Sequence, residues 1–199
     1  MIAIFDYGAG NLRSVQNTFS ELGFPYTVVN DAAGLQKATK IVLPGVGHFG
    51  QMMRALDTLE VRKPLLDRIA GGVPFLGICL GLQALFEVSE EAPDVRGLGF
   101  YPGAVRRFPA ETRVPHMGWN ELELRRESTL VRKLNARPFV YFAHSYYVPV
   151  NERAAATCTY TEPYTAVLEC GNVFGVQFHP EKSGPVGLQI VRNFLELPC

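Results

Sequence analysis

The chain has little of what marks disulfide-stabilised, nucleic-acid-binding or membrane proteins. It holds four cysteines among 199 residues, and no two of them form a CxxC pair, so neither a disulfide framework nor a metal site is expected. Basic and acidic residues are equal at 19 each, which excludes a strongly basic surface for nucleic acid or an anionic membrane. No apolar run is long enough to cross a bilayer. A protein without nucleic-acid, membrane or metal partners is therefore expected.

The composition favours a globular protein of a reducing compartment. Hydrophobic residues make up 47% of the chain, which is enough to bury one substantial core as a single domain, residues 1–199. The first residues enter a strand-like run directly, without a charged segment or a cleavage signal. These features predict a cytoplasmic protein.

The order of strand-like and helix-like segments predicts an α/β fold. In the first half, strands are expected at 2–6, 26–29, 41–43 and 73–78, and helices at 12–22, 51–69 and 82–86. This alternation is typical of a parallel sheet with right-handed crossovers. In the second half, strands are expected at 104–108, 121–124, 140–147, 154–160, 165–168 and 173–177, with a final helix at 185–195. Gly171-Asn172 predicts a hairpin turn, so we expect a mostly parallel central sheet with an antiparallel extension.

The segment Gly77-Ile78-Cys79-Leu80-Gly81 places a thiol on a turn between a buried strand and a helix. The flanking glycines remove Cβ atoms that a sharply turned backbone would not accommodate. The N–H of Leu80 and the start of the following helix would point at the same place, where they stabilise a thiolate or an oxyanion. The alternative is a small buried cysteine with glycines for close packing.

A base for this thiol is predicted near the end of the chain. The strand-like run 173–178 leads to His179, and Glu181 follows two residues later. Strand periodicity would place both side chains on one face, so that the carboxylate orients the imidazole. Such an imidazole can take a thiol proton and return it to a leaving amine. The alternative is a histidine at a strand end beside a solvated glutamate. Together with the cysteine turn, the pattern favours catalysis by Cys79, His179 and Glu181.

A second glycine-rich loop follows the strand expected at 41–43. In strand-turn sites of this kind, a neighbouring strand-helix loop supplies the other oxyanion N–H, which we expect from Val46 or Gly47. His48 lies in the same loop, but no acidic residue is close to it in sequence, so it is interpreted as a loop or interface residue.

Three motifs in this order and spacing resemble the signatures of class I, triad-type glutamine amidotransferases: Pro44-Gly45-Val46-Gly47, Gly77-Ile78-Cys79-Leu80-Gly81-Leu82-Gln83 and Phe178-His179-Pro180-Glu181. Four longer segments resemble, more narrowly, the family of glutaminase subunits of imidazole glycerol phosphate synthase, of histidine biosynthesis. They are Asp6-Tyr7-Gly8-Ala9-Gly10-Asn11-Leu12-Arg13-Ser14, the loop 44–50, Pro115-His116-Met117-Gly118-Trp119-Asn120 and His179-Pro180-Glu181-Lys182-Ser183. The resemblance covers essentially the whole chain and implies the three-layer fold of the class.

The resemblance implies hydrolysis of the side-chain amide of L-glutamine without a cofactor. A Cys79 thiolate would attack the carboxamide carbon, and His179 would protonate the departing ammonia. Gln83 resembles the residue that holds the α-amino or the carboxylate end of glutamine. The stretch His144-Ser145-Tyr146 is similar to the one that completes the glutamine pocket. Its alternative interpretation is ordinary strand and core aromatics.

The resemblance also implies a partner, because the whole chain is used by the amidase domain and ammonia needs an acceptor. That partner would be a (β/α)8-barrel cyclase subunit, in a heterodimer. Asn11 and Arg13 would lie toward it, although Asn11 also suits a helix cap in a tight turn. Trp119, the only tryptophan, is a candidate interface anchor, with a buried core position as the alternative. Lys182 is expected at the same face, and the alternative is an ordinary solvated lysine.

Two further questions stay open at the level of sequence. The bulky Val46 stands where an oxyanion donor is needed, so its peptide could point away until the partner binds its acceptor, making the activity conditional. The same scaffold also serves other synthases, such as the glutaminase of pyridoxal phosphate synthesis, and it could persist as a non-catalytic scaffold. The intact Cys79, His179 and Glu181 argue against the last alternative.

Overall fold

A computed structural model describes residues 1–9 and 11–198. Its thirteen strands are β1 (Ile2–Phe5), β2 (Tyr26–Val29), β3 (Lys40–Gly45), β4 (Phe75–Cys79), β5 (Phe86–Ser89), β6 (Tyr101–Arg107), β7 (His116–Glu121), β8 (Glu123–Leu124), β9 (Phe139–His144), β10 (Tyr146–Tyr147), β11 (Ala154–Thr159), β12 (Pro163–Cys170) and β13 (Val173–Val176). Its helices are α1 (Leu12–Glu21), α2 (Ala32–Gln36), α3 (Phe49–Thr58), α4 (Arg62–Ala70), α5 (Leu80–Gln83) and α6 (Gly184–Leu195), with a 3₁₀ turn at Pro180–Lys182.

The central sheet has eight strands in the order β2-β1-β3-β4-β13-β12-β11-β8. The pairs from β2 to β13 are parallel, and the pairs from β13 to β8 are antiparallel. Strands β12 and β13 are joined by the two residues Gly171 and Asn172, so the predicted hairpin is confirmed. The expected parallel sheet with an antiparallel extension is also confirmed.

Alternating residues of the parallel strands pack into two separate cores, one on each face of the sheet. In β3, Ile41 and Leu43 enter the core formed with α3 and α4, whereas Val42 enters the core formed with α1 and α6. All three side chains are fully buried, as expected for strands covered by helices on both faces. The layers are therefore helix, sheet and helix. Two smaller sheets, β10-β6-β5 and β7-β9, lie outside the central one.

Several expected boundaries were wrong. The helix expected at 51–69 is two helices, because Glu60 between them has a left-handed φ of 54° that an α-helix does not continue. The helix after the cysteine has only four residues, since Phe86 already begins β5. The strand expected at 140–147 is broken at Ser145, where the chain passes from the β7-β9 pair to the β10-β6 pair.

Two other boundaries differ from the prediction. The strand expected at 121–124 is divided between β7 and β8, which belong to different sheets. The short helix α2 was not expected. Asp31 precedes it as the cap, and its carboxylate accepts from the N–H of Gly34 at 2.7 Å.

Candidate active site

The cysteine turn joins β4 to α5. Cys79 has φ 53° and ψ −106°, a left-handed conformation that costs energy for any residue with a Cβ. The glycines on either side of it are required by close packing, since Gly81 lies against β3 and Gly77 lies against α5. A Cβ added to Gly81 would lie 2.0 Å from the carbonyl oxygen of Leu43, and one added to Gly77 would lie 2.5 Å from that of Gly81. The strain is therefore held at Cys79 itself, and the glycines permit the close packing that holds it.

His179 comes to the same edge of the sheet because β13 lies parallel to β4. In their register Val176 is opposite Ile78, so the residues that follow each strand leave the sheet side by side. The His179 N–H donates to the carbonyl of Tyr141 at 2.9 Å, and the Ser183 hydroxyl donates to the His179 carbonyl at 2.7 Å. These bonds fix the backbone around an imidazole that is almost fully buried.

Glu181 contacts His179 as predicted, but for a different reason. Nδ1 of His179 lies 2.9 Å from Oε1 of Glu181, and both side chains are buried. The expected strand periodicity is wrong here, because the strand ends at Val176 and Glu181 belongs to the 3₁₀ turn. A tight turn, and not a pleated strand, brings the carboxylate back onto the imidazole.

The imidazole of His179 and the sulfur of Cys79 line the same cavity and interact electrostatically. Burial alone would lower the pKa of His179, but the Cys79 sulfur and the Glu181 carboxylate outweigh burial and raise that pKa to about 10. The arrangement therefore favours the protonated form of His179, an imidazolium. Such an imidazolium can donate a proton to a leaving group.

The predicted oxyanion loop lies beside the cysteine turn, since Gly45 at the end of β3 pairs with Cys79. The Val46 N–H donates to the hydroxyl of Tyr7 at 3.2 Å, and that hydroxyl donates to the Val46 carbonyl at 3.1 Å. Gly47 next to it has a φ of 94°, which favours glycine. Leu80 opens α5, so its N–H is one of the first-turn amides that have no partner within the helix. In this conformation the Val46 N–H is engaged by Tyr7.

A cavity of about 180 Å³ opens above the sulfur. Its lining brings together all the residues predicted for the reaction except Glu181, which lies behind His179. The lining residues are Val46, Gly47, Cys79, Leu80, Gln83, Glu91, Pro115, Ala143, His144, Ser145, Tyr146 and His179. Sequence reasoning missed Glu91, whose Oε2 accepts from the N–H of Phe49 at 2.7 Å. The neighbouring Glu90 and Glu91 gave no signal that one of them faces a cavity.

Two buried side chains of the cavity wall donate to one backbone carbonyl, that of Tyr146. Gln83 Nε2 lies 2.8 Å from this oxygen, and His144 Nδ1 also lies 2.8 Å from it. A carbonyl can only accept, so His144 carries its proton on Nδ1 and keeps a lone pair on Nε2, which is buried without a partner among the described residues. Burial lowers the pKa of His144 to about 3, which keeps the ring neutral.

Two of the four residues predicted at a partner interface, Trp119 and Lys182, lie on one surface beside the site. In the β7-β9 pair Trp119 is opposite Tyr141, and their rings meet edge to face at 6.2 Å between centroids. Trp119 is 56% exposed, so the alternative of a buried core tryptophan is wrong. Lys182 lies over the Tyr141 ring at 5.7 Å. Met117 and Phe139 are exposed on the same face of this pair, which we call the ribbon face (Met117, Trp119, Phe139 and Tyr141).

Asn11 and Arg13 begin helix α1, which packs against the 3₁₀ turn that carries Lys182. Asn11 occupies the position of a helix cap, but its side chain accepts from the hydroxyl of Ser14 at 2.8 Å and not from a backbone N–H. The tight turn expected before it includes Gly10, which lies outside the described residues. His48 caps α3, since its Nδ1 accepts from the N–H of Gly50.

Residues 3–197 match the sequence profile of the family described as glutamine amidotransferase class-I. The chain belongs to this family. Solved structures agree on the fold: a glutamine amidotransferase aligns with a TM-score of 0.77 at 19% identity, covering 98% of this chain and 97% of that one. A structure titled PurLQS from Thermotoga maritima aligns with a TM-score of 0.76 at 19% identity, covering 98% and 96%.

Curated relatives narrow the membership to one branch of the family. The chain is 48% identical to imidazole glycerol phosphate synthase subunit HisH of Methanothermobacter thermautotrophicus, over 99% of this chain and 98% of the relative. It is 46% identical to the subunit of the same name from Chlorobium luteolum, over 98% and 100%. It therefore belongs with the HisH subunits, and the narrower resemblance of the sequence is confirmed. Within residues 1–9 and 11–198, no helix has the length and apolarity needed to span a membrane.

Proposed function

We propose that the chain is the glutaminase subunit of an imidazole glycerol phosphate synthase and that it acts as one domain. It hydrolyses L-glutamine to glutamate and ammonia. It passes the ammonia to a separate (β/α)8-barrel cyclase subunit, which forms imidazole glycerol phosphate and an aminoimidazole carboxamide ribonucleotide in histidine biosynthesis. The observation that carries this proposal is the buried Cys79-His179-Glu181 set at the base of a cavity.

In the proposed reaction the thiolate of Cys79 attacks the carboxamide carbon of glutamine. Negative charge moves to the carboxamide oxygen, which the N–H of Leu80 stabilises together with the 46–47 loop. The carbon–nitrogen bond breaks, and the imidazolium of His179 gives its proton to the leaving ammonia. Water, deprotonated by the same imidazole, then hydrolyses the glutamyl thioester to glutamate and free Cys79. Glu181 orients the imidazole throughout.

Two polar side chains of the cavity lining, those of Glu91 and Gln83, suit the α-amino end of glutamine. Glu91 is the one acidic side chain among the described residues that line the cavity. Gln83 directs its Nε2 into the protein, toward the Tyr146 carbonyl, so the ligand would meet its oxygen. Both groups accept hydrogen bonds, which favours the ammonium and not the carboxylate for Gln83. Ser145 and Tyr146 complete the pocket, with backbone N–H groups for the carboxylate.

The Tyr7 contact supports the interpretation of a conditional enzyme. The Val46 N–H is bound to the Tyr7 hydroxyl, so it is not directed at an oxyanion in this conformation. We propose that the peptide reorients when the cyclase binds its nucleotide, and that hydrolysis accelerates then. Ammonia release measured with and without the cyclase and its nucleotide tests this step, and equal rates would reject it.

The ribbon face is the proposed contact with the cyclase. Exposed aromatic and apolar side chains beside a catalytic cavity are typical of interface anchors. Lys182 borders this face, and helix α1, which begins beside Asn11 and Arg13, packs against the turn that carries Lys182. Contact at this edge would cover the cavity and let ammonia pass between subunits without entering bulk water, where it would be protonated.

Covalent capture tests the proposed function directly. The full chain is incubated with an electrophilic glutamine analogue, and mass spectrometry locates the adduct. We expect modification of the Cys79 peptide, protection by excess glutamine, and neither an adduct at that position nor ammonia release with Cys79→Ala. Capture at Cys158 or Cys170 instead, or undiminished ammonia release by the variant, would contradict the proposal.

A further inference from the structure

Gln177 is a fully buried carboxamide that touches the nucleophile. It follows β13, and its Nε2 lies 3.6 Å from the sulfur of Cys79. Its Oε1 lies 3.1 Å from Nε2 of Gln83. Its backbone N–H is used separately, by the carbonyl of Ala166 at 2.9 Å. The side chain therefore bridges the glutamine-pocket wall and the reacting sulfur.

The direction of these hydrogen bonds is set by one backbone carbonyl. The oxygen of Tyr146 can only accept, so the Gln83 atom that faces it must be the amide nitrogen. The same nitrogen then offers its other N–H to Gln177, so the Gln177 atom that faces it must be the oxygen. Consequently the atom of Gln177 that faces the sulfur is the nitrogen, which donates. A reversed amide would place oxygen against sulfur and leave donors facing each other.

We propose that Gln177 is a catalytic residue whose amide N–H stabilises the thiolate of Cys79. The inference rests on the proposed function and adds a second donor to the sulfur, beside His179. The Gln177 N–H acts on the free thiolate of Cys79. When an electron pair of the sulfur forms the bond to the carboxamide carbon, the sulfur loses its negative charge and becomes a poorer hydrogen-bond acceptor. When hydrolysis of the thioester releases the thiolate, the N–H is already in place to receive it.

The chain of bonds also links glutamine binding to the nucleophile. Gln83 lines the cavity where the substrate would bind, and its orientation holds that of Gln177. Loss of Gln83 would free the Gln177 amide to turn its oxygen toward the sulfur. The two residues should therefore act as one unit, and their substitutions should be non-additive.

The test is the pH dependence of alkylation of Cys79 by iodoacetamide, followed on the Cys79 peptide by mass spectrometry. Gln177→Met keeps the shape and removes the donor. We expect the pH of half-maximal alkylation to rise by about one unit, the size expected for loss of one hydrogen bond to a charged group. The other titratable groups around the sulfur, His179, Glu181, Tyr7, Glu91 and His144, are unchanged in this variant. An unshifted pH profile would overturn the proposal.

Two controls separate this effect from general damage. Asn193→Leu removes another fully buried carboxamide, which bonds to the carbonyls of Leu130 and Arg132 away from the sulfur. It should destabilise the chain but leave the alkylation profile in place. If Gln177→Met does not fold, Gln177→Asn keeps an amide that is too short to reach the sulfur, and it should give the same upward shift.

The predicted coupling between Gln83 and Gln177 has its own test. Gln83→Leu alone should shift the profile upward by a smaller amount, and adding it to Gln177→Met should cause no further shift. Full additivity would contradict the bonded chain. Failure of this inference would appear as an unshifted alkylation profile, whereas failure of the proposed function would appear as ammonia release that persists in Cys79→Ala.

Discussion

At the scale of single residues, the site depends on a few strained or buried groups. Cys79 holds a left-handed conformation that costs on the order of 1–3 kcal/mol for a residue with a Cβ. The cost is offset by packing of the turn against β3. The strain directs the sulfur out of the sheet toward His179, so the nucleophile is positioned before any substrate arrives.

Glu91 gives the sharpest prediction at this scale. Glu91→Gln keeps an oxygen to accept from the Phe49 N–H but removes the negative charge from the cavity. We expect the KM for glutamine to rise about tenfold with kcat nearly retained, because a charge-assisted hydrogen bond to the ammonium is lost. Steady-state kinetics measure both constants.

Glu90→Gln is the matched control for this prediction. Glu90 is the sequence neighbour, and its carboxylate accepts from the Arg107 N–H on an exposed surface. Its substitution should leave both constants unchanged. An equal rise in KM for the two variants would show that Glu91 does not face the substrate.

At the scale of secondary-structure elements, the close approach of α5 to β3 decides the geometry of the turn. A Cβ on Gly81 would overlap the Leu43 carbonyl, an atom that a neighbouring strand holds in place. The short helix can therefore lie against the sheet only with glycine at this position. A helix of four residues also has a small dipole, so the local N–H of Leu80 matters more than the whole helix.

Gly81→Ala should lower the free energy of unfolding by about 3 kcal/mol, because the backbone must shift to admit the methyl group. Urea titration measures this change. Gly71→Ala is a control, since Gly71 ends α4 with an ordinary φ of −74° and its nearest contact would be 3.1 Å. A loss below 0.5 kcal/mol for Gly81→Ala, roughly that of a surface change, would refute the packing argument.

The contact between Tyr7, which follows β1, and the 46–47 loop predicts a change in basal activity. Tyr7→Phe removes the hydroxyl that binds both the N–H and the carbonyl of Val46. We expect ammonia release without the cyclase to rise about fivefold, the effect of losing about one hydrogen bond that holds the inactive peptide. Tyr160→Phe, which removes a hydroxyl bound to the Arg113 carbonyl, is the control. Basal release that stays level or falls in Tyr7→Phe would count against this role.

At the scale of the whole molecule, buried neutral histidines make stability depend on pH. Burial lowers the pKa of His116 to about 4 and that of His144 to about 3. Both would titrate near 6.5 in an unfolded chain. Between about pH 6.5 and 4 the unfolded chain therefore binds more protons, so stability falls as the pH is lowered.

We expect the free energy of unfolding to decrease below pH 6.5 by up to ~1.4 kcal/mol per pH unit for each of these histidines. Urea titrations at pH 7, 6 and 5 measure the slope. His116→Gln removes one of the two groups, so its slope should be smaller although its stability at pH 7 is lower. An identical slope in the variant would show that His116 does not remain neutral in the folded chain.

The exposed ribbon face leads to a prediction of how tightly the chain binds the cyclase. Trp119→Ala should weaken binding of the cyclase by at least about tenfold, since central exposed aromatic residues often carry most of the binding energy. Calorimetry or surface plasmon resonance with the purified cyclase measures the affinity. Val150→Ala, an exposed apolar residue outside the ribbon face, should bind as the original chain does. Equal affinities for all three proteins would place the interface elsewhere.

The sequence alone predicted the parallel strands of the first half, the hairpin at Gly171 and Asn172, and Cys79, His179 and Glu181 as the candidate catalytic residues. These follow from local patterns: alternation, glycine at a turn, and motif spacing. Only the tertiary structure decided that Glu181 reaches His179 through a 3₁₀ turn, that Tyr7 binds Val46, that Glu91 faces the cavity and that Gln177 donates to the sulfur. The last three depend on hydrogen bonds between segments distant in sequence, whose partners are set by strand order and register. The Glu181 contact is local, but it depends on the strand ending at Val176, which the alternation of residues did not indicate.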